Sequence, residues 1–122
     1  MQQSKKTLVI GATPKPYRYA YIATEMLLKY NHPLVLYGVK RGSISDNPIL
    51  NDWYTTQDID TVTLYINPSL QEQYLKKIIE LKPKRIIFNP GTENLKLKEL
   101  AEANNIEAQY ACTLVMLRTG QF

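Results

Sequence analysis

Short apolar runs alternate with amphipathic stretches along this chain, and the alternation limits the folds available to it. The runs are short and rich in β-branched or aromatic residues, which is typical of buried strands. They are "TLVI" (7–10), "LVLYGV" (34–39), "TVTLYI" (61–66), "RIIF" (85–88) and "IEAQYA" (106–111). Strands that alternate with helices over short connections favour a parallel sheet. The sequence predicts an α/β fold: a Rossmann-like, doubly wound, five-stranded parallel sheet of order 3-2-1-4-5, in three α/β/α layers.

Three helices and a final helical turn are expected between and after these strands. Apolar residues recur at helical spacing across 19–30, and "NHP" ends that helix because a residue before proline resists the helical conformation. A second helix is predicted to begin near Ser69 as its N-cap. A third carries Leu97 and its neighbours, and a last turn follows Thr113.

The segment 40–58 interrupts the pattern. It is long and polar, and at most one short turn of helix is expected in it. Its two adjacent aromatic residues, Trp53 and Tyr54, are predicted to anchor it to the body of the domain.

Composition restricts the compartment and the partners. The 122 residues, 1–122, are predicted to form a single domain, and 44% of them are hydrophobic. The single cysteine, Cys112, excludes an intramolecular disulfide and favours a reducing compartment. No apolar run approaches the roughly 20 residues that span a bilayer, so a cytoplasmic protein without a membrane partner is expected. The net charge is +4, but the basic residues are scattered, which argues against nucleic acid as a partner.

The loops that follow the strands are the expected ligand site, since ligands of such sheets collect at the carboxyl ends of the strands. In "GATPKPYR", Gly11 allows a tight turn and Arg18 can add charge. The amides of Ala12, Thr13, Tyr17 and Arg18 are predicted to be free to donate to a phosphate at the start of the first helix.

The second loop separates the candidate ligands. A NAD-binding domain usually has an acidic residue after its second strand, whereas this chain has Lys40 and Arg41. Cations there suit a phosphate on the ribose, and both NADP and coenzyme A (CoA) carry one.

The segment "VIGATPKPYRYAYIATEMLLKYNHPLVLYGVKRG" resembles the opening of the small single-domain CoA-binding protein family. The family pattern is a strand, G-A-[ST]-x-x-x-x-[RK], a helix and a second strand, and its members are similar to the N-terminal domain of the succinyl-CoA synthetase alpha subunit. The likeness continues through "YTTQDIDTVTLYINP" and "RIIFNPGTENLKLKELAEANNIEAQYACTLVML", and so covers nearly the whole chain.

The resemblance implies a binding role. Gly11, Ala12, Thr13 and Arg18 would lie along the pyrophosphate; Val39 and Lys40 would meet the adenosine and its 3'-phosphate; Asn67 and Pro68 would line the adenine side; Gly91 would lie near the pantetheine. With the neighbouring loop residues, the predicted cofactor-binding set is Gly11, Ala12, Thr13, Pro16, Tyr17, Arg18, Val39, Lys40, Arg41, Asn67, Pro68, Asn89, Pro90 and Gly91.

Catalytic groups are few. His32, the single histidine, is expected to be an exposed turn residue, and Cys112 a small buried packing residue. Glu93 lies at the ligand end, where capping of the third helix is its expected role, and too few soft ligands exist for zinc. Tyr17 and Tyr19 flank the first loop and could cover a ligand.

The sequence therefore predicts a non-catalytic module that binds CoA or an acyl-CoA, with NADP less favoured. A protein partner or a homodimer is compatible with this role. Two alternatives stay open: a small NADP- or acyl-CoA-using enzyme, and an interaction protein that kept the fold and lost the ligand.

Overall fold

The structure is a computed structural model that describes residues 3–53 and 58–122. The strands among these residues are β1 (Thr7–Ile10), β2 (Leu34–Tyr37), β3 (Ser43–Ile44), β4 (Asn47–Leu50), β5 (Thr61–Leu64), β6 (Arg85–Phe88) and β7 (Glu107–Tyr110). The helices are α1 (Tyr19–Lys29), α2 (Pro68–Gln71), α3 (Leu75–Glu80), α4 (Leu95–Ala103) and α5 (Thr113–Arg118), with a 3-10 turn (Glu72–Tyr74) between α2 and α3.

The sheet has the order β3-β4-β2-β1-β5-β6-β7, and only the β3–β4 pair is antiparallel. The predicted α/β class is confirmed, but the predicted strand number and the order 3-2-1-4-5 are wrong. β4 pairs in parallel with β2 and takes the place expected for the third predicted strand. That strand, β5, pairs instead with the other side of β1.

The two unpredicted strands lie in segment 40–58, where at most a helical turn was expected. Ser45 and Asp46 have φ values of 47° and 69° and form the tight connection between β3 and β4. Positive φ at two successive residues is typical of a hairpin turn. The strands it joins are only two and four residues long, so no buried-strand pattern marks them. Tyr54 lies outside the described residues.

Buried side chains form one core on each face of the sheet, because successive strand residues point to opposite sides. Leu8 and Ile10 of β1 belong to the core that includes Leu97 of α4. Val9, between them, belongs to the core that includes Leu27 of α1. The same alternation in β6 places Ile86 and Phe88 on one side and Ile87 on the other. The sheet is therefore the middle of three layers.

The second predicted helix begins two residues before the expected one and is interrupted. Asn67, not Ser69, is the N-cap: its side-chain oxygen accepts a hydrogen bond from Leu70 N–H at 3.0 Å, and Pro68 follows at the first helical position. The 3-10 turn then separates α2 from α3. The buried Gln71 side chain donates to the carbonyls of Ile66 and Thr92, so it links this helix to the loop after β6.

Two glycines bring the loops after β1 and β2 into contact. Gly11 has a φ of 99°, and its N–H donates to the carbonyl of Tyr37 at 2.9 Å. A Cβ atom at Gly38 would lie 2.5 Å from the Ala12 carbonyl oxygen, so only glycine fits there without a backbone shift. Within the described part of the chain, no helix has the length and apolarity needed to cross a membrane.

Candidate functional site

A cavity of about 660 Å³ opens at the carboxyl ends of β1, β2, β5 and β6. Its position agrees with the general rule for ligands of open α/β sheets. It is lined by ten of the predicted binding residues, namely Gly11, Ala12, Thr13, Tyr17, Arg18, Val39, Lys40, Asn67, Pro90 and Gly91. The structure thus brings four separate loops together around one space, while the binding role of each residue stays a prediction.

The other four predicted residues lie outside the lining. Pro16 and Arg41 are exposed, and Pro68 is the first residue of α2. Asn89 is 3% exposed, and its side chain is committed to the protein. Its Nδ2 donates to Thr63 Oγ1 at 2.7 Å and to the Leu64 carbonyl at 2.8 Å, and its Oδ1 accepts from Thr113 N–H at 2.9 Å.

Sequence reasoning did not include several lining residues in the binding set. They are Ile10, Lys15, Tyr19, Ala20, Tyr37, Gly38, Tyr65, Ile66, Leu70, Gln73, Tyr74 and Thr92. Lys15 could have been found, because it lies inside the first loop between two prolines. Leu70 and Tyr74 have an apolar helical spacing that indicates core packing, so nothing in the sequence marks them as cavity residues.

The first loop offers fewer backbone donors than predicted. Ala12 N–H donates to the Tyr37 carbonyl at 3.0 Å, and Arg18 N–H donates to the Lys15 carbonyl at 3.1 Å. The prediction of free amides at Ala12 and Arg18 is therefore wrong, because β2 approaches the loop closely and the loop turns back on itself. The N–H groups of Thr13 and Tyr17 make no hydrogen bond within the described ranges.

The start of α1 adds further donors to this edge of the cavity. No side chain caps α1, whereas α2 and α4 are capped by Asn67 and Asn94. Arg18, at the N-cap position, and Tyr19 both line the cavity. An uncapped helix start has unsatisfied N–H groups and a partial positive charge, which favour an anion.

Three cationic side chains line the cavity: Lys15, Arg18 and Lys40. None of the three forms a hydrogen bond or ion pair through its side chain with any residue of the described ranges. No aspartate or glutamate lies among the described lining residues. The cavity is therefore positively charged, and the charge is not neutralised by the protein.

An aromatic cluster forms the wall beside β2. The hydroxyls of Tyr37 and Tyr74 lie 3.0 Å apart, and both residues are among those that line the cavity. Trp53 packs behind them, with ring centroids 5.1 Å from Tyr37 and 5.7 Å from Tyr74, so this half of the predicted aromatic anchor is confirmed. Burial, and then the hydrogen bond with Tyr74, raise the pKa of Tyr37 to about 12.

Candidate catalytic groups lie away from the cavity lining. His32 is 3% exposed at the amino end of the sheet, so the prediction of an exposed turn residue is wrong. Its ring packs on Phe122 with centroids 4.8 Å apart, and Nδ1 accepts from Lys5 N–H at 3.0 Å. The burial follows from contact with a residue 90 positions later, which no local pattern reveals.

Cys112 and Glu93 are not among the residues that line the cavity either. Cys112 is half-buried at the N-cap position of α5. Glu93 Oε1 accepts from Gly91 N–H at 2.9 Å, and Asn94 rather than Glu93 caps α4. The described residues contain no group of three or more His, Cys, Asp or Glu that could hold a metal ion.

Comparison with known proteins assigns the chain to a family. The model of the CoA binding domain family matches residues 5–118, nearly the whole chain. No curated protein matches the sequence significantly. The chain belongs to the CoA binding domain family, which confirms the resemblance found in the sequence.

Solved structures share the fold over almost their full length. One, titled as the crystal structure of an uncharacterized protein, is 48% identical, has a TM-score of 0.98, and is matched over 99% of this chain and 100% of that one. A hypothetical protein from Pyrococcus horikoshii OT3 is 23% identical with a TM-score of 0.85, over 96% of this chain and 84% of that one. A Thermus thermophilus protein is 15% identical with a TM-score of 0.82, over 98% of this chain and 91% of that one. The last two likenesses support the fold alone.

Proposed function

As this chain is a member of the CoA binding domain family, we propose that it binds coenzyme A or an acyl-CoA as a non-catalytic module. The observation that carries the proposal is the set of three unpaired cations, Lys15, Arg18 and Lys40, around the cavity at the end of β1. CoA carries a pyrophosphate and a ribose 3'-phosphate, so its charge complements the cavity.

The arrangement of the loops supports a specific orientation of the ligand. The pyrophosphate lies along the β1–α1 loop, where Thr13 N–H, the start of α1 and Arg18 are available. The 3'-phosphate lies near Lys40, after β2. The pantetheine arm then leaves past Gly91, where a φ of 94° and open space around the missing side chain keep the path clear.

A binding role without catalysis is supported by the residue types around the cavity. The described lining residues include no histidine, the most frequent general acid or base, and no cysteine, aspartate or glutamate; the groups there that can transfer a proton are lysines and tyrosines. We infer a carrier or sensor of CoA in the cytoplasm, an inference that also rests on the single cysteine.

One binding experiment separates this proposal from the two alternatives. Thermal unfolding is measured with CoA, acetyl-CoA, NADP and NAD. A ligand at about 100 times its Kd stabilises the folded state by about 2.7 kcal/mol, and we expect this for CoA or acetyl-CoA. Stabilisation by NADP alone favours an NADP-linked role, and no stabilisation by any ligand favours an interaction protein that has lost its ligand.

Lys40→Ala tests the contact with the 3'-phosphate. Hydrogen bonds to charged groups contribute about 1.5–3 kcal/mol, so the Kd for CoA should rise at least tenfold or so, whereas the Kd for dephospho-CoA should change little. Lys29→Ala is the matched control, because Lys29 lies in the last turn of α1 at the other end of the sheet. An equal loss for CoA and dephospho-CoA would contradict this role of Lys40.

A further inference from the structure

The Tyr37–Tyr74 pair is a polar feature in the wall of the cavity that the phosphate contacts leave unused. Tyr37 is 9% exposed and Tyr74 is 8% exposed, yet both residues are among those that line the cavity. Their hydroxyls are 3.0 Å apart, so one donates to the other. Buried hydroxyls in a ligand cavity are specific recognition elements when one of their hydrogens lacks an acceptor.

Counting hydrogens shows that the pair has one to offer. Two phenol groups carry two hydroxyl hydrogens, and the bond between them uses one. Neither hydroxyl has another hydrogen-bond partner among residues 3–53 and 58–122. Because the pKa of Tyr37 is raised to about 12, its hydroxyl keeps its proton at neutral pH. The pair therefore has a donor without an acceptor in the described protein.

The surroundings indicate which part of a ligand meets that donor. The apolar residues Val39, Ile66 and Leu70 line the same cavity, as do the neutral polar residues Asn67 and Gln73. The cations Lys15 and Arg18 belong to the loop between β1 and α1, and Lys40 follows Val39. Apolar and neutral polar residues with a buried donor suit a flat heteroaromatic ring that has an acceptor nitrogen better than they suit a phosphate.

We propose that the Tyr37–Tyr74 hydroxyl pair donates a hydrogen bond to a ring nitrogen of the ligand's adenine base and thereby contributes to base specificity. This inference rests on the proposed function, since it assumes that the cavity takes an adenine nucleotide. Trp53 is stacked on Tyr74 and packs edge-on against Tyr37, so it fixes the positions of the two phenol rings.

The test uses the two halves of CoA as separate ligands. Affinities for adenosine 3',5'-bisphosphate and for 4'-phosphopantetheine are measured by calorimetry with the wild type, with the Tyr37→Phe/Tyr74→Phe double variant and with Tyr30→Phe. The double variant is decisive, because in either single variant the remaining hydroxyl can donate to the ligand itself. Tyr30→Phe is the matched control, since Tyr30 follows α1 at the opposite end of the sheet.

The double variant should bind adenosine 3',5'-bisphosphate about threefold to tenfold more weakly than the wild type does, which corresponds to one neutral hydrogen bond. It should bind 4'-phosphopantetheine as tightly as the wild type does. Unchanged affinity for both halves would show that the pair only packs the core, and a loss for 4'-phosphopantetheine alone would place it against the other half; either result overturns the inference. Failure of the wild type to bind CoA overturns the proposed function instead.

A second measurement needs no variant and covers the case in which the double variant does not fold. The 1-, 3- and 7-deaza analogues of adenosine 3',5'-bisphosphate each replace one ring nitrogen by a carbon. We expect one of them to bind the wild type about threefold to tenfold more weakly than the parent compound. Equal affinity for all three would overturn the inference even if CoA itself binds.

Discussion

At the carboxyl end of the sheet, Lys15, Arg18 and Lys40 line an open cavity, and their side chains have no partner in the described protein. At the amino end, Lys5 and Arg85 both donate to the carbonyl oxygen of Phe122. The Arg85 guanidinium also donates to Thr61 Oγ1 at 3.0 and 3.1 Å and lies 4.5 Å from the centroid of the Phe122 ring. Cationic side chains thus lie at both ends of the sheet, but of these only Lys5 and Arg85, at the amino end, have hydrogen-bond partners in the described protein.

The difference comes from where the later chain returns. Phe122 packs under the amino end at 1% exposure and supplies an acceptor and an aromatic face to the cations there. Nothing in the described chain covers the cations at the carboxyl end. A cation that is paired within the protein contributes to stability, whereas an unpaired cation in a cavity is available to a ligand. Charge alone does not identify a site, but charge without a partner in the wall of a cavity favours one.

Arg85→Ala is expected to have the largest effect on stability. The substitution removes charge-assisted hydrogen bonds from a side chain that is 8% exposed and leaves the Phe122 carbonyl with fewer donors. The free energy of unfolding should fall by about 2–4 kcal/mol, measured by urea unfolding. Lys84→Ala is the control and should cost less than about 0.5 kcal/mol, since Lys84 is exposed and lies 3.9 Å from Asp60. Similar losses in the two variants would show that the buried hydrogen bonds of Arg85 contribute no more to stability than the exposed ion pair of Lys84 does.

Arg18→Ala should weaken ligand binding and leave stability unchanged, the reverse of what is expected for Arg85→Ala. The Arg18 side chain has no partner in the described protein, so the free energy of unfolding without ligand should stay within about 0.5 kcal/mol of the wild type. The Kd for CoA should rise about tenfold or more if the guanidinium contacts the pyrophosphate. Calorimetric titration and urea unfolding of the same preparation check both parts, and a loss of stability without a loss of affinity would contradict the contrast.

His32 should make the amino end sensitive to acid, with a smaller effect. Burial first, and then the charges of Lys5 and Arg85, lower the pKa of His32 from its ordinary value of 6.5, while Asp60 acts in the other direction. The unfolded chain therefore binds a proton at a pH where the folded chain does not. The contribution of His32 to stability is complete above pH 6.5 and is lost as the pH falls below that value toward the lowered pKa.

Urea unfolding at about pH 7.5 and about pH 5.5 measures this dependence. The slope from a single histidine cannot exceed about 1.4 kcal/mol per pH unit. His32→Phe keeps an aromatic ring against Phe122 and removes the titrating group, so the variant should lose less stability between the two pH values than the wild type. An unchanged pH dependence in the variant would show that other groups are responsible.

Local patterns were sufficient for the elements that bury long apolar faces. β1, β5 and β6 are fully buried four-residue strands, and their sequences indicate strands directly. β4 could not be predicted in this way, because two of its four residues, Asn47 and Pro48, are rare in strands. Its pairing with β2 also depends on the preceding hairpin. One missed strand was enough to put β5 on the wrong side of β1.

The candidate site also has one part that the sequence predicts and another part that it does not. Its loop residues could be predicted, since they directly follow strands of a recognisable sheet. The part of the cavity wall that the 3-10 turn forms could not be predicted, because Tyr74 belongs both to the core and to the cavity lining. The sequence also does not show which backbone N–H groups are already hydrogen-bonded within the protein. The Ala12 N–H was predicted to be free, but β2 lies close enough for the Tyr37 carbonyl to accept a hydrogen bond from it.

Asn89 has a consequence for how this family is studied. Its side chain joins β5 to the start of α5 directly beneath the loop that carries Pro90 and Gly91. If the cavity binds the proposed ligand, a substitution of Asn89 should loosen that loop and weaken binding even though Asn89 is not among the residues that line the cavity. A screen that records only binding would therefore score Asn89 as a ligand residue, and a parallel measurement of unfolding would identify it as a support.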